Sequence, residues 1–513
     1  MTNYARRALP AVIAATAALT LAACSAGSDA PTGTDTADGT DTGVDTSAVV
    51  RVGLAAIPAN LDFTTTGGAA IPQALMGNVY EGLVQLDDRG EIQPLLATDW
   101  EVSEDGLTYT FTLQEGVTFH DGAAFTAENV KFSLERVKDW TASSPSNLAA
   151  LDSVDVISPT EVAVKLSEPD YNTLFWLASP LGAMFDPDSV DNLAAEANGT
   201  GPFAFISYDQ GVRMELERND EYWAEPAGVA GIELLYFSDA SAAANALRTG
   251  GVEALYQVEA YDQVASFEAD DAFTVTTGAT QGVVVMSMNP DNPALAEVTV
   301  RQAISHAVDK EAVLAAATSG YGTILGGPAV PTDPYYQDLA GTYPYDPELA
   351  ATLLAEAGVT DLALTFTVPN RPYAEAAAQV LQSNLSEVGI DVTLESQEFP
   401  AVWLEETFTN HNFDLSITNH VEARNLWSYD DPGYYWSYSS EEAGAAFDQA
   451  RTATDEAGYH EAITAAVEQI VTDAAGVWLY NTPNIVITTA EVTGLPTNYL
   501  GVGIAFDEVS VSS

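Results

Sequence analysis

The sequence predicts a mixed α/β protein with two or three domains. Its 513 residues suffice for several hydrophobic cores, and an apolar share of 47% is ordinary for a globular chain. Residues 362–368 alternate as a strand, residues 373–388 repeat apolar positions at helical spacing, and residues 390–394 read as another strand. This order is a βαβ unit, so we expect a mixed sheet with parallel neighbours.

The helix ends carry capping signals. Asp346 and Pro347 precede an apolar helical pattern, and Gly358 follows its end. These residue types suit the N-cap, the first helical position and the left-handed C-terminal stop. Thr126 is likewise expected to cap a helix.

A strand followed by a helix stands near the middle of the chain. Residues 282–289 are a short apolar run closed by Asn289-Pro290, as expected for a buried strand and a turn. Thr299 is predicted to start the next helix, with Gln302 as its capping-box partner. Apolar residues at helical spacing then continue to Val308.

The charge excludes one class of partner. Asp plus Glu number 74 and Lys plus Arg 16, so the net charge is 16 − 74 = −58. Such a field repels nucleic acid, and we expect no nucleic-acid partner. Cys24 is the only cysteine, which rules out an intramolecular disulfide and a cysteine-based zinc or iron–sulfur site. The five histidines are scattered, so neither a metal nor another cofactor is expected.

The N-terminus reads as an export signal. Arg6 and Arg7 precede the apolar residues 8–21, and Leu21-Ala22-Ala23-Cys24 matches a bacterial lipobox. Residues 1–23 are thus a predicted lipoprotein signal peptide, and Cys24 is the predicted lipidated residue; general or twin-arginine export both remain open. Residues 24–47 are polar and acidic, as expected for a flexible tether.

Several motifs follow one another in a fixed order, and together they resemble those of one family. They are Val79–Val84, Ile92–Ala97, Asp105–Leu113, Gly116–Gly122, Phe125–Leu134 and Val300–Ala303. This series resembles family 5 of the solute-binding proteins, the receptors of peptide and nickel ABC importers.

The resemblance implies a two-lobe fold with a cleft. The expected class is the type II periplasmic-binding-protein-like fold of the large peptide-binding kind, with mixed sheets. Lobe I would comprise residues 48–284 plus 480–513, including an extra subdomain, and lobe II residues 285–479. The chain would cross between the lobes near Met288 and return near Trp478.

The resemblance also implies a receptor and not an enzyme. A monomer is expected to capture short peptides at the outer face of the membrane and deliver them to permease subunits served by a cytoplasmic ATPase. Nickel chelate, saccharide or another small solute is the alternative cargo. A secreted hydrolase is a distant alternative, because the chain has no Gly-x-Ser-x-Gly elbow, zinc-protease helix or catalytic cysteine.

The expected ligand contacts concentrate in one stretch of lobe II. Peptide-binding relatives use an Arg and an Asp there, which makes Arg424 the expected partner of a ligand carboxylate. The usual amine-binding position is Ser428, so Glu422, Asp430 or Asp431 would have to replace it, in no ranked order. The alternative is that Arg424 only pairs with one of the many acids.

Other residues would complete the cleft. Those proposed are Trp427, Tyr435 and Trp436 as walls, Tyr256 and Gln257 from lobe I, and His420. Core packing is the alternative for the aromatic residues.

Overall fold

The computed structural model describes residues 43–512, in which strands and helices alternate. Strands β1 to β19, in chain order, are Val49–Leu54, Val84–Leu86, Ile92–Pro94, Ala97–Val102, Thr108–Leu113, Leu151–Ser158, Glu161–Leu166, Phe203–Asp209, Arg213–Arg218, Gly231–Tyr236, Ala254–Leu255, Phe273–Met288, Thr323–Ile324, Leu362–Pro369, Ile390–Gln397, Leu415–His420, Gly476–Thr489, Val492–Thr493 and Ser510–Val511. Helices α1 to α11 are Ala70–Leu75, Ala127–Glu135, Thr173–Leu177, Ala240–Arg248, Tyr261–Glu268, Val298–Ala307, Lys310–Thr318, Pro347–Glu356, Pro372–Glu387, Glu441–Arg451 and Glu456–Thr472.

One large sheet runs through the described chain. Its strands lie in the order β15-β14-β16-β12-β17-β11-β1-β10-β9-β8, and β13 pairs with β17 beside this path. Strand β14 runs parallel to β15 and β16, and β1 runs parallel to β10 and β11. The sheet is therefore mixed, as the sequence predicts, and its two parallel groups flank the long antiparallel pair β12 and β17.

The strands β12 and β17 connect different cores. They pair from Phe273 opposite Thr489 to Ser287 opposite Gly476, with an irregularity between Ala279 and Val283. Phe273 packs on a small cluster with Ile485 and Ile487, whereas the other end of β12 lies in two further clusters. The pair is thus a long two-stranded ribbon that extends from one hydrophobic cluster to two others.

The buried hydrophobic residues of the described chain form four clusters. The largest, core 1, includes Leu113 and Phe111 of the separate antiparallel sheet β4-β5-β7-β6. Core 2 lies beneath β14, α6 and α9, core 3 gathers the aromatic residues around Tyr435, and core 4 packs α4 and α5 on β17. Leu353 packs on core 2. The residue bounds given above for the two lobes remain a prediction.

The predicted βαβ unit is present as β14, α9 and β15, with β14 and β15 in parallel register from Leu362 opposite Ile390. The capping residues also form as predicted. Asp346 Oδ1 accepts the N–H of Leu349 at 2.8 Å, and Gly358 has a φ of 74°. Thr126 makes a capping box with Asn129 at the start of α2.

The central helix differs from its prediction at its start. Helix α6 starts at Val298 with Glu297 at the N-cap, instead of being capped at Thr299, and it ends at Ala307. Asp309 then caps a new helix, α7, by accepting the N–H of Ala312 at 3.0 Å. The predicted apolar run to Val308 therefore ends one residue beyond α6, and the Asp309 side chain begins the next helix.

The predicted signal peptide and most of the predicted tether lie outside the described residues. The last part of the tether is described: Val44 pairs with Ser512, and the N–H of Asp45 donates to Val511 O at 2.8 Å. In residues 43–512, no helix is both long and apolar enough to cross a lipid bilayer.

Candidate functional site

A cavity of about 490 Å³ opens where the parallel strands end. It is lined by Gly53, Leu54, Ala55, Ala56, Ala69, Gln73, Phe237, Ser238, Ala240, Ala243, Leu255, Tyr256, Gln257, Val258, Glu259, Tyr261, Thr280, Gln281, Gly282, Arg371, Asn419, Val421, Thr482, Pro483, Tyr499 and Gly501. Many of these residues follow the carboxyl ends of β1, β11, β14 and β16. Ligand sites in open α/β sheets commonly lie at such ends.

The cavity has two flanks. Arg371, Asn419 and Val421 come from the β14 and β16 side, and most of the other lining residues come from the β1, β11 and α5 side. The middle of the β12–β17 pair, around Gly282, lies between the flanks. A Cβ at Gly282 would lie 1.9 Å from Thr482 Oγ1, so a larger residue would clash with this side chain and glycine fits.

Arg371 is the basic side chain in this lining. It lies two residues beyond the end of β14, at the N-cap of α9, and its Cζ is 5.1 Å from the centre of the Phe399 ring. Within residues 43–512 no carboxylate or carbonyl accepts a hydrogen bond from its guanidinium. In so acidic a chain, a guanidinium that faces a cavity without an acid partner is available to a ligand anion.

The rest of the lining combines apolar residues with polar residues that are mostly uncharged. Gln73 Nε2 donates to Gln257 Oε1 at 2.9 Å, and Gln281 Nε2 donates to Thr332 Oγ1 at 2.7 Å. Gln73 Oε1 and Asn419 Oδ1 are buried and accept no hydrogen bond from any described residue. Unpaired buried acceptors are costly, so these two oxygens favour a ligand or water that brings N–H or O–H donors.

The structure places Tyr256 and Gln257 in the cavity lining, where the sequence expects them. Tyr256 is also buried, and its hydroxyl donates to Asn498 O at 3.2 Å. Gln257 has a φ of 56°, which turns the chain so that its amide meets Gln73. Whether either residue touches a ligand remains a prediction.

Arg424 lies outside this lining. Its side chain is 8% exposed, and Nη1 donates to Asn172 Oδ1 and, at 3.2 Å, to Tyr459 Oη. Its Cζ lies 3.9 Å from the centre of the Phe175 ring. The guanidinium is thus occupied by protein groups, and its predicted role as a carboxylate anchor remains a prediction.

The three acids proposed for a ligand amine occupy different surroundings. The Glu422 side chain is exposed, and its Oε2 lies 3.7 Å from His420 Nδ1. Asp430 forms an ion pair with Arg451. Asp431 Oδ1 accepts the N–H of Gly433 at 2.8 Å, as in a turn. None of the three is in the cavity lining given above.

The aromatic residues proposed as cleft walls pack on core 3. The Tyr435 hydroxyl lies 2.7 Å from Ser287 Oγ and 3.0 Å from His420 Nε2, and Trp436 stacks on Tyr429 with centroids 4.4 Å apart. Trp427 lies beneath Arg451, with 5.1 Å between Cζ and the ring centre. Their predicted contact with a ligand remains untested.

A second, larger groove of about 640 Å³ lies beside core 3. Arg301 borders it, but the guanidinium donates to the carbonyls of Asp473, Ala474, Leu295 and Ala296. The guanidinium therefore binds the carbonyl groups that follow the C-terminal end of α11. In the described chain, no three His, Cys, Asp or Glu side chains are placed to hold a metal ion.

The sequence of this chain matches one protein family over most of its length. Residues 91–446 match the family model for bacterial extracellular solute-binding proteins, family 5, middle region. The chain belongs to this family. Both the family and the mixed α/β fold class predicted from the sequence are confirmed.

Individual proteins are similar to this chain in sequence or in fold. The glutathione-binding protein GsiB of Pectobacterium atrosepticum is 29% identical over 345 residues, which are 64% of this chain and 65% of the relative's length. The periplasmic binding protein DppA of Helicobacter pylori, solved with the peptide STSA, has a TM-score of 0.76 at 23% identity, covering 91% of this chain and 98% of its own. NikA of Brucella suis, solved with Fe(III)-EDTA, has a TM-score of 0.78 at 23% identity, covering 90% of this chain and 100% of its own.

Proposed function

We propose that this protein is the extracytoplasmic receptor of an ABC importer and captures short peptides in the 490 Å³ cavity. It would act as a monomer and deliver its cargo to permease subunits that are powered by a cytoplasmic ATPase. The observation that carries the proposal is a cavity, at the ends of parallel strands, that is lined from both flanks and contains an unpaired guanidinium. The β12–β17 pair would serve as the hinge between the two predicted lobes.

The charges in the cavity support a peptide-like cargo. Arg371 would bind a carboxylate through two parallel hydrogen bonds. Glu259, the acidic residue of the lining, is exposed on the opposite flank and would attract an amino group. The amides of Gln73, Gln257 and Asn419 would serve the peptide backbone between these ends.

The cargo class can be tested by a thermal-shift screen. We expect di- and tripeptides, including glutathione, to raise the melting temperature, because a ligand that binds only the folded state stabilises it by RT ln(1 + [L]/Kd). Nickel–histidine and oligosaccharides serve as comparison ligands, since relatives in this family bind metal chelates as well as peptides. A shift with those compounds and none with peptides would replace the proposed cargo but keep the receptor.

Arg424 is the second candidate for the carboxylate anchor. Arg424 is proposed from its position in the sequence, whereas Arg371 is proposed because it lines the cavity. Measuring a peptide acid against its C-terminal amide on variants of both residues separates the two, because only the true anchor controls the preference for the acid.

Cys24 would attach the receptor to the outer face of the cell membrane. Each buried CH₂ of an acyl chain stabilises association by about 0.8 kcal/mol, so two or more chains hold firmly. We expect Cys24→Ala to release the protein from membranes or to leave its signal peptide uncleaved, as seen by fractionation and mass determination. A variant that stays membrane-bound at the normal mature mass would contradict lipidation at this residue.

A further inference from the structure

Arg424 is held by residues that are far away in sequence. Its Nη1 donates to Asn172 Oδ1 and to Tyr459 Oη, and the Tyr459 hydroxyl itself donates to Asn172 Oδ1 at 3.1 Å. Phe175 covers the guanidinium face at 3.9 Å. Asn172, Phe175 and Tyr459 are all buried. We call this set of contacts the Arg424 latch.

The latch joins two different cores. The segment that carries Asn172 packs on core 1 through Leu174 and Trp176, while Tyr459 belongs to core 3. Tyr171, next to Asn172, reaches core 3 as well, and its ring stacks on Tyr459 with centroids 4.3 Å apart and planes 19° apart. The N–H of Tyr171 also donates to Arg451 O at 3.0 Å.

The electrostatics favour a guanidinium at this place. No described carboxylate forms an ion pair with Arg424, yet Asp170 and Asp333 lie near enough to feel its charge. Burial raises the pKa of Asp333 to about 6, and the charge of Arg424 acts in the opposite direction. Acids from both sides thus help to balance one buried cation.

The backbone at Arg424 is also unusual. Its φ is 55°, in the left-handed region that an arginine rarely adopts. A residue held in such a conformation needs surrounding contacts that enforce it. The N–H of Arg424 approaches Gln281 Oε1 at 3.4 Å, and Gln281 lines the ligand cavity, so the latch adjoins the cavity.

We infer that the Arg424 latch is a positioning device that holds the two sides of the cavity closed and sets how readily they part. The inference rests on the proposed receptor function, because a latch matters only if the lobes open. It assigns Arg424 to closure and not to ligand contact. Breaking the latch should favour the open form, which lowers the affinity for every ligand by one common factor.

The test uses Arg424→Met, which keeps the length of the side chain and removes its donors. Without ligand, small-angle scattering should show a larger radius of gyration than for the wild type, and a saturating peptide should restore the wild-type value. Calorimetry should show roughly a 10- to 100-fold loss of affinity, equal for a peptide acid and its amide. Arg248→Met is the matched control, because Arg248 covers the Phe267 ring at 3.8 Å but both residues lie on one side, at core 4.

Asn172→Ala tests the latch from the other side and guards against poor folding of the first variant. It should change the radius of gyration and the affinities in the same direction. A selective loss of acid binding in Arg424→Met would overturn the inference, because Arg424 would then contact the ligand. A wild-type radius of gyration and wild-type affinities in both variants would also overturn the inference. Arg424 would then serve only to pack the protein interior. If peptides do not bind at all, the radius of gyration without ligand still tests the latch while the proposed cargo fails.

Discussion

Replacing Arg371 with methionine should remove the preference for a free C-terminal carboxylate. A charge-assisted hydrogen bond contributes about 1.5–3 kcal/mol, so the acid should lose roughly 10- to 100-fold in affinity while the C-terminal amide loses little. The expectation follows from the position of Arg371 in the cavity lining without an acid partner. Isothermal calorimetry with a matched acid and amide measures the effect directly.

Arg248→Met is the control for Arg371. Both guanidinium groups lie over a phenylalanine ring and neither pairs with a carboxylate of residues 43–512, but Arg248 is not in the cavity lining. The control removes the same charge and should leave both affinities unchanged. If Arg371→Met retains the acid preference and Arg424→Met loses it, the sequence-based anchor is right and the cavity-based anchor is wrong.

The sequence was sufficient for most of the local structure. Asp346, Pro347 and Gly358 bound α8 as predicted, because capping depends on residues within one or two turns. The βαβ unit from Leu362 to Gln397 was equally clear, since its periods change from two to 3.6 and back. The start of α6 was less clear: the helix begins at Val298 after Glu297, although the capping-box pattern favoured Thr299.

The site was harder to predict, for a physical reason. Arg371 and Arg424 both follow strands and precede helical turns, so they look alike in the sequence. They differ only in what the fold brings to them: Phe399 and an open cavity for Arg371, Asn172 and Tyr459 for Arg424. The run Val368-Pro369-Asn370-Arg371-Pro372 at a strand end was the available signal. This signal is weaker than that of Arg424, which stands beside the richest aromatic stretch of the chain.

That aromatic stretch illustrates the same limit. Trp427, Tyr435 and Trp436 could wall a cleft or fill a core, and composition does not separate these roles. The structure packs them on core 3, because β12 and β16 pair from Val283 opposite His420 and place the stretch over the aromatic side of the sheet. A pairing between segments more than a hundred residues apart is a property of the whole chain.

A buried carboxyl group in core 1 gives the other large expected effect. Glu81 is 2% exposed and accepts three hydrogen bonds: from Tyr222 Oη at 2.6 Å, Thr200 Oγ1 at 2.7 Å and Trp223 Nε1 at 3.1 Å. Burial raises the pKa of Glu81 from an ordinary 4.5 to about 7, although the three donors act against the shift. The group therefore joins distant segments of the chain and titrates near neutrality.

This shift predicts how stability depends on pH. Because the folded protein holds the Glu81 proton more tightly than the unfolded chain, the contribution is fully present below pH 4.5 and is lost as the pH rises towards 7. A shift from 4.5 to about 7 corresponds to about 3 kcal/mol of unfolding free energy. Glu81→Gln cannot titrate, so the wild type should lose about 3 kcal/mol relative to this variant between pH 4.5 and pH 8.

Urea unfolding of both proteins across this pH range measures that difference, and comparing the two cancels the titration of the many other acids. Glu115→Gln, at an exposed turn, is the control and should run parallel to the wild type. Parallel curves for Glu81→Gln and the wild type would show that the three donors keep Glu81 ionised throughout. In that case the carboxylate would stabilise the fold as a charged acceptor, and Glu81→Ala should cost the same at pH 8 as at pH 4.5, since it would leave three buried donors unpaired at both pH values.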